Sequence, residues 1–180
     1  ETVSVSELTS LICARLLTVE GTALLSEELL AALSSANQMQ AIADIAYRYL
    51  KNPILISDKS WRAMAMAPDT DIPGDTDWTL FRESGTLSID VVTSNLKVNL
   101  AEILDGSTDA FYWKDDRMEY PRLYCNIRIG KRTAATLSVL EYYHPFTPQD
   151  YEYMPLITAA VSAEMQKSAT LSYTRGLKYE

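Results

Sequence analysis

The stretch Arg122-Leu123-Tyr124-Cys125-Asn126-Ile127-Arg128 alternates polar and apolar residues with a period of two. In a strand, that period puts Arg122, Tyr124, Asn126 and Arg128 on one face and Leu123, Cys125, Ile127 and Ile129 on the other. Two guanidiniums with a phenol and an amide between them can hold an anionic small molecule bidentately. A half-exposed strand shows the same alternation with nothing bound, so solvent competes with a ligand as the explanation of that face. Met64, Met66, Phe111, Tyr112 and Trp113 are candidate walls of an apolar cavity, adaptable through methionine, or else plain core.

Other chemistry is thin. Asp69, Asp71, Asp75 and Asp77 resemble a calcium loop in which Asp69 and Asp71 take positions 1 and 3 and Gly74 takes position 6. Position 5 is then Pro73 and position 12 is Leu80, where a bidentate glutamate is required. The expectation is a solvated loop, with Asp75 or Asp77 capping the helix that carries Trp78. His144 is the single histidine and the only imidazole available as a general base. No nucleophile motif accompanies it, and a histidine before proline in a strand-to-helix loop reads as structural. Cys13 and Cys125 are too few for a zinc site and read as a reduced pair of buried thiols. No metal or cofactor is expected.

The chain has 180 residues, with 16 Lys and Arg against 24 Asp and Glu, for a net charge of -8. That balance argues against these residues gripping nucleic acid, whose affinity rests on neutralising phosphates. The length suits one domain with a helical extension. No run reaches the roughly 18 apolar residues of a membrane span, and no basic-then-apolar start marks a secretory signal. A cytoplasmic location is expected. Residue 1 is Glu, which fits a piece of a longer chain.

The elements that must position these residues follow from periodicity. Leu8, Leu11, Ile12 and Leu16 predict a short helix from Val5 to Leu17, and Ser26 a cap for a second from Glu27 to Leu33. Ser35 with Gln38 predicts a capping box opening a helix that Asn52-Pro53 stops. Ile54–Asp58 and Trp61–Ala67 then read as two strands around Lys59-Ser60, with Arg62, Met64 and Met66 on one side. A brief helix ending near Gly85 and a helical stretch over Leu87–Leu104 follow. Ala110–Trp113 is a third strand, and Arg122–Ile129 and Arg132–Glu141 are two more joined by Gly130-Lys131 as a type II′ turn. That turn predicts Ile127 opposite Ala134, Cys125 opposite Thr136 and Tyr124 opposite Leu137. Thr147-Pro148-Gln149-Asp150 starts the last helix, with Pro155 implying a kink or a later start. The class is α+β, an antiparallel sheet with helices on one face.

Asn52–Asp58 after an amphipathic helix, the block Arg122–Arg132 running into Leu137–Glu141, and Pro145–Asp150 together resemble a GAF/PAS-like sensor domain. The pattern is similar to bacterial one-component regulators of the PucR/CdaR type, over roughly residues 38–180. That resemblance implies an antiparallel sheet with the N- and C-terminal helices packed on one face. It divides the chain into a helical extension (1–37), a sensor domain (38–169) and a helical linker (170–180) towards an absent DNA-binding half. It further implies a non-enzymatic domain that binds an unidentified small molecule and forms a homodimer through its terminal helices, around Leu8–Leu17 and Val161–Leu177. DNA would be contacted only through the other half, and no membrane is involved. Two alternatives stand beside it, a ligand-free structural dimerisation module and a small enzyme of the same fold using His144 and Cys125.

Overall fold

Where the hydrophobic period changes from about four to two, the backbone changes from helix to strand. The computed structural model describes residues 5–35, 37–87, 91, 93, 103–104, 106–116 and 118–176. Helix α1 (Val5–Ala32) and α2 (Gln38–Leu50) precede strands β1 (Ile54–Asp58) and β2 (Ala63–Ala67). Helix α3 (Thr76–Ser84), strands β3 (Phe111–Trp113), β4 (Arg122–Ile129) and β5 (Arg132–Leu140), and helix α4 (Pro148–Gly176) complete the order. The five strands form one antiparallel sheet in the order β2-β1-β5-β4-β3. The expected stretch over Leu87–Leu104 lies mostly outside the described residues.

The terminal helices share one face of the sheet. Leu25 and Leu29 of α1, Ile42 and Ala46 of α2, and Met154 and Ile157 of α4 close over Ile56, Leu123, Ile127 and Leu137. Each of the fully buried aliphatic side chains contributes roughly 1.5–3 kcal/mol by leaving water. The other face is covered too, because α3 lays Trp78 and Phe81 over Leu55 and Leu140. Asp75 begins α3 by accepting the Trp78 N–H at 2.8 Å, and Gly85 (φ +71°) ends it.

Several local expectations change. The two short N-terminal helices are one, and Ser26 sits inside it, donating to the Thr22 carbonyl at 2.9 Å. Gly21 suggests a break, but its missing side chain serves packing. A Cβ there would come 2.7 Å from the Tyr153 hydroxyl of α4. The cost of a mid-helix glycine, about 1 kcal/mol, is offset by that close approach. Helix α2 starts two residues later than Ser35 suggests, with Asn37 at its N-cap, and Gln38 donates to Leu33 O instead of closing a capping box. Helix α4 begins at Pro148 and runs through Pro155, so no later start occurs. Thr147 donates from both N and Oγ1 to Asp150, at 2.6 and 2.9 Å, which ties the first turn. Cys13 is exposed, and only Cys125 is a buried thiol.

Register is the largest local difference. Gly130 has a positive φ and Lys131 does not, as a type II′ turn requires, and Ile129 pairs with Arg132. A bulge next to Arg128 then inserts one residue in β5. Ile127 therefore faces Ala135, Cys125 faces Leu137 and Tyr124 faces Ser138, each one place beyond expectation.

Candidate functional site

The alternation of β4 holds, but neither of its faces is open to solvent over Arg122–Ile127. Leu123, Cys125 and Ile127 join the core under α1, α2 and α4. Arg122, Tyr124 and Asn126 lie on the side covered by α3 and the residues that follow it, all at most 6% exposed. The sequence period left solvent as the simpler explanation of that face, and burial removes it.

Arg122 is occupied from within the protein. Its Nη2 donates to both Asp75 carboxylate oxygens, at 2.8 and 2.9 Å, and its Nη1 stands 3.6 Å from Asp77 Oδ2 and 3.5 Å from the Tyr124 hydroxyl. Burial works against the charge, but the Tyr124 oxygen and the carboxylates of Asp75 and Asp77 outweigh it and hold the guanidinium above the ordinary arginine value. Burial raises Asp77, against the pull of Arg122, and raises the Tyr124 hydroxyl, which therefore stays a neutral phenol. The guanidinium thus anchors the α3 N-terminus to the sheet. Two acids answer one base, so an added anion there meets no uncompensated positive charge.

Antiparallel pairing sets the remaining residues in rows. Phe111, Tyr124, Ser138, Leu55 and Met66 form one row, with Trp113, Arg122 and Leu140 in the next and Asn126, Thr136, Ser57 and Ala63 on the other side. Trp61, Phe111 and Trp113 pack around Tyr124 and Leu104, and the Phe111 and Tyr124 rings lie 5.9 Å apart. Among the described residues, four buried polar atoms on this face find no hydrogen-bond partner, namely Asn126 Oδ1, Ser138 Oγ, Trp113 Nε1 and Arg122 Nε. Asn126 Nδ2 donates to Ser107 O at 3.3 Å, which fixes the amide while leaving its oxygen unpaired. Such atoms ordinarily cost about 1–3 kcal/mol each, and native proteins keep few of them.

Not every expected residue reaches this face. A bulge in β2 leaves Met64 between the pairs Ile56–Ala65 and Ser57–Ala63, and turns it towards the helical side while Met66 stays with α3. Tyr112 pairs with Leu123 and therefore faces the helical side as well. It is 45% exposed, donates to Glu141 at 3.2 Å and meets the Phe146 ring edge-on. Trp113 and Asn126 do stand with Tyr124. Arg128 is half-buried, and it lines a cleft at the hairpin ends together with Lys59, Lys131, Arg132 and Thr133. Ser138 and Trp61 carry no signal in the sequence. Only the bulge-shifted register sets Ser138 across from Tyr124.

The other candidates resolve simply. Asp75 is taken up by its cap and by Arg122, and no group of metal-ligating side chains gathers among the described residues. The His144 ring sits between two main-chain carbonyls, with Nε2 3.0 Å from Leu50 O and Nδ1 2.9 Å from Pro145 O. Burial raises the Cys125 thiol, so it is a poor thiolate. Among the described residues, no helix is long and apolar enough to cross a membrane.

The same architecture recurs in solved proteins. The GAF domain of a putative sensor histidine kinase from Pseudomonas syringae pv. tomato superposes with a TM-score of 0.59 at 10% identity, covering 94% of this chain and 98% of that one. The fold is that of a GAF domain. The A. aeolicus nlh2 GAF domain in an inactive state matches with a TM-score of 0.52 at 7% identity, covering 84% of this chain and 99% of its own. The cofactor-binding GAF domain of the nutrient sensor CodY from Clostridium difficile gives 0.50 at 11% identity, covering 82% and 96%. No family model and no curated protein sequence matches the chain. In GAF terms, the buried polar rows lie on the side of the sheet opposite the terminal helices.

Proposed function

We propose that this GAF-fold chain is the ligand-sensing and dimerisation domain of a cytoplasmic bacterial transcription regulator of the PucR/CdaR type. DNA is contacted by a separate domain, which fits the net charge of -8 on these residues. The observation that carries the reading is the set of buried atoms Asn126 Oδ1, Ser138 Oγ and Trp113 Nε1, unpaired among the described residues and near aromatic rings. A polar floor with aromatic walls is the composition of a small-molecule site. Because Arg122 is neutralised internally, the effector is a small uncharged polar molecule. It offers a donor to Asn126 and an acceptor to Trp113. Two of the structural neighbours are named as a sensor kinase domain and a nutrient sensor's cofactor-binding domain, which agrees with a sensing role. Binding, not catalysis, is also favoured by the raised Cys125 thiol and the enclosed His144 ring.

A metabolite library screened by thermal unfolding tests the site. The wild-type melting point should rise with one uncharged polar compound, by an amount equivalent to about 2.7 kcal/mol at a hundredfold excess over Kd. Ser138→Ala removes an unpaired hydroxyl, so without ligand its stability should equal or exceed the wild type. Together with Asn126→Leu it should abolish the ligand response. A response unchanged in the double variant, or no response to any compound, would refute the site.

Dimerisation rests on the outer face of α1. Ile12, Leu16, Val19, Ala23, Ser26 and Leu30 alternate at spacings of four and three. Ile12, Leu16, Val19 and Leu30 are 50–70% exposed. That spacing is a coiled-coil seam, which a second copy of α1 covers by two-fold packing. Leu16→Glu with Val19→Glu should convert a dimer to a monomer in sedimentation equilibrium without loss of helix content. A monomeric wild type would remove this half of the proposal.

A further inference from the structure

The protein carries 24 acidic against 16 basic side chains, yet one concavity has no acid among the described residues of its lining. It encloses about 490 Å³ and is lined by Lys59, Arg128, Lys131, Arg132 and Thr133. Topology brings these residues together. Lys59 lies in the β1–β2 turn, Asp58 at the end of β1 pairs with Ala135 of β5, and Arg128 pairs with Thr133 beside the Gly130-Lys131 turn. The two hairpin ends therefore stand side by side.

Both ends are held by their own backbones. Asp58 Oδ1 accepts the N–H groups of Ser60 and Arg62, at 2.8 and 3.0 Å, so the adjoining carboxylate builds the turn. The Gly130-Lys131 turn is fixed by the positive φ of Gly130. Among the described residues, Lys59, Lys131 and Arg132 take part in no ion pair. The like charges of Lys59, Lys131 and Arg132 repel one another on a common concave surface, and an anion placed between them relieves that repulsion.

We propose that this cleft binds a compact anion carrying two or more adjacent phosphate groups. The planar fork of Arg132 matches phosphate oxygens bidentately, Lys59 and Lys131 act as point charges, and Thr133 offers a hydroxyl beside Arg128 in the wall. Among the described residues, the lining has no aromatic ring to stack a base and no aliphatic residue to bury a tail. Recognition is therefore by charge density, unlike the aromatic-walled face over Asn126. The surrounding surplus of acids disfavours a long nucleic acid, which would extend past the cleft, but spares a small ligand that ends within it.

Inorganic pyrophosphate is the probe, titrated calorimetrically into the wild type, into Lys131→Glu/Arg132→Glu and into Lys114→Glu. Lys131, Arg132 and Lys114 are all exposed, so these changes leave the core intact, and circular dichroism confirms folding. Lys114 lies outside the cleft and controls for net charge. The wild type and Lys114→Glu should bind pyrophosphate equally, with affinity falling as salt rises, while the double variant loses at least tenfold. Lys59→Ala should lose part of the affinity. Absence of binding to the wild type, equal binding by the double variant, or tighter binding of a polyglutamate peptide than of pyrophosphate would overturn the proposal.

Discussion

Replacing Arg122 by methionine is expected to destabilise the protein by about 3–5 kcal/mol, because it leaves a buried carboxylate without its partner. The Asp75 and Arg122 side chains are 5% and 6% exposed, so water cannot replace the lost contacts. For a chain of this size the loss corresponds to a fall in Tm on the order of 10 °C. Asp75 has a second duty at the N-cap of α3, which makes the choice of compensating variant specific. Asp75→Ser keeps a capping oxygen and removes the buried charge. In the Arg122→Met background it should restore more than half of the lost stability, giving a large coupling in a double-mutant cycle. Thermal unfolding followed by near-ultraviolet circular dichroism reads both stability and the environment of Trp78. A single variant melting within a degree of the wild type would show that the pair does not anchor α3.

A comparable loss is expected for Asn52→Leu, through backbone groups instead of charge. Asn52 is fully buried. Its Oδ1 lies 3.2, 2.9 and 3.4 Å from the amide nitrogens of Tyr142, Tyr143 and His144, and its Nδ2 donates to His144 O at 2.9 Å. Leucine fills similar space but leaves those groups without a partner, at about 1–3 kcal/mol for each one that stays buried. The expected total is about 3–5 kcal/mol. The damage is local first, since this side chain clips the segment leaving β5 to the one that joins α2 to β1. Hydrogen exchange should therefore show the Tyr143 amide opening locally and exchanging faster than β4 amides, which lose protection only through the lower global stability. Retention of slow exchange at Tyr143 would exclude the clip.

Both predictions concern contacts across long stretches of sequence, which marks where sequence reading stops. Asn52-Pro53 is legible as a helix stop, and Lys51 (φ +51°) does end α2 there. The amide's engagement with residues 142–144 is not legible, because no periodicity links position 52 to them. Asp75 is legible as a cap on the α3 helix. Its pairing with Arg122, 47 residues away, is not. Arg122 consequently reads as a candidate ligand anchor or a solvated side chain in the sequence, and in the fold it is buried and ion-paired with Asp75.

Alternation fixes which side chains share a face only while every residue is counted once. A single inserted residue defeats it twice here. The bulge in β2 parts Met64 from Met66, and the bulge beside Arg128 moves Ser138 opposite Tyr124. Helix α1 shows the reverse case, a local signal overridden by packing. Gly21 weakens the helix in isolation, and the approach of Tyr153 makes its small size an advantage.

The sequence by itself determined the α+β class, the strand alternation of β4, the Gly130-Lys131 turn, a cap on α3 from Asp75 or Asp77 and the start of α4 at Thr147. All of these depend on neighbours within a few residues, where backbone geometry and hydrogen bonding are local. Tertiary structure alone decided that the polar face of β4 is buried, that Asp75 neutralises Arg122, and that Asn126, Ser138 and Trp113 keep atoms on that face unpaired among the described residues. Those outcomes depend on which distant surfaces exclude water from one another, and a periodic pattern reports that a face exists without reporting what covers it.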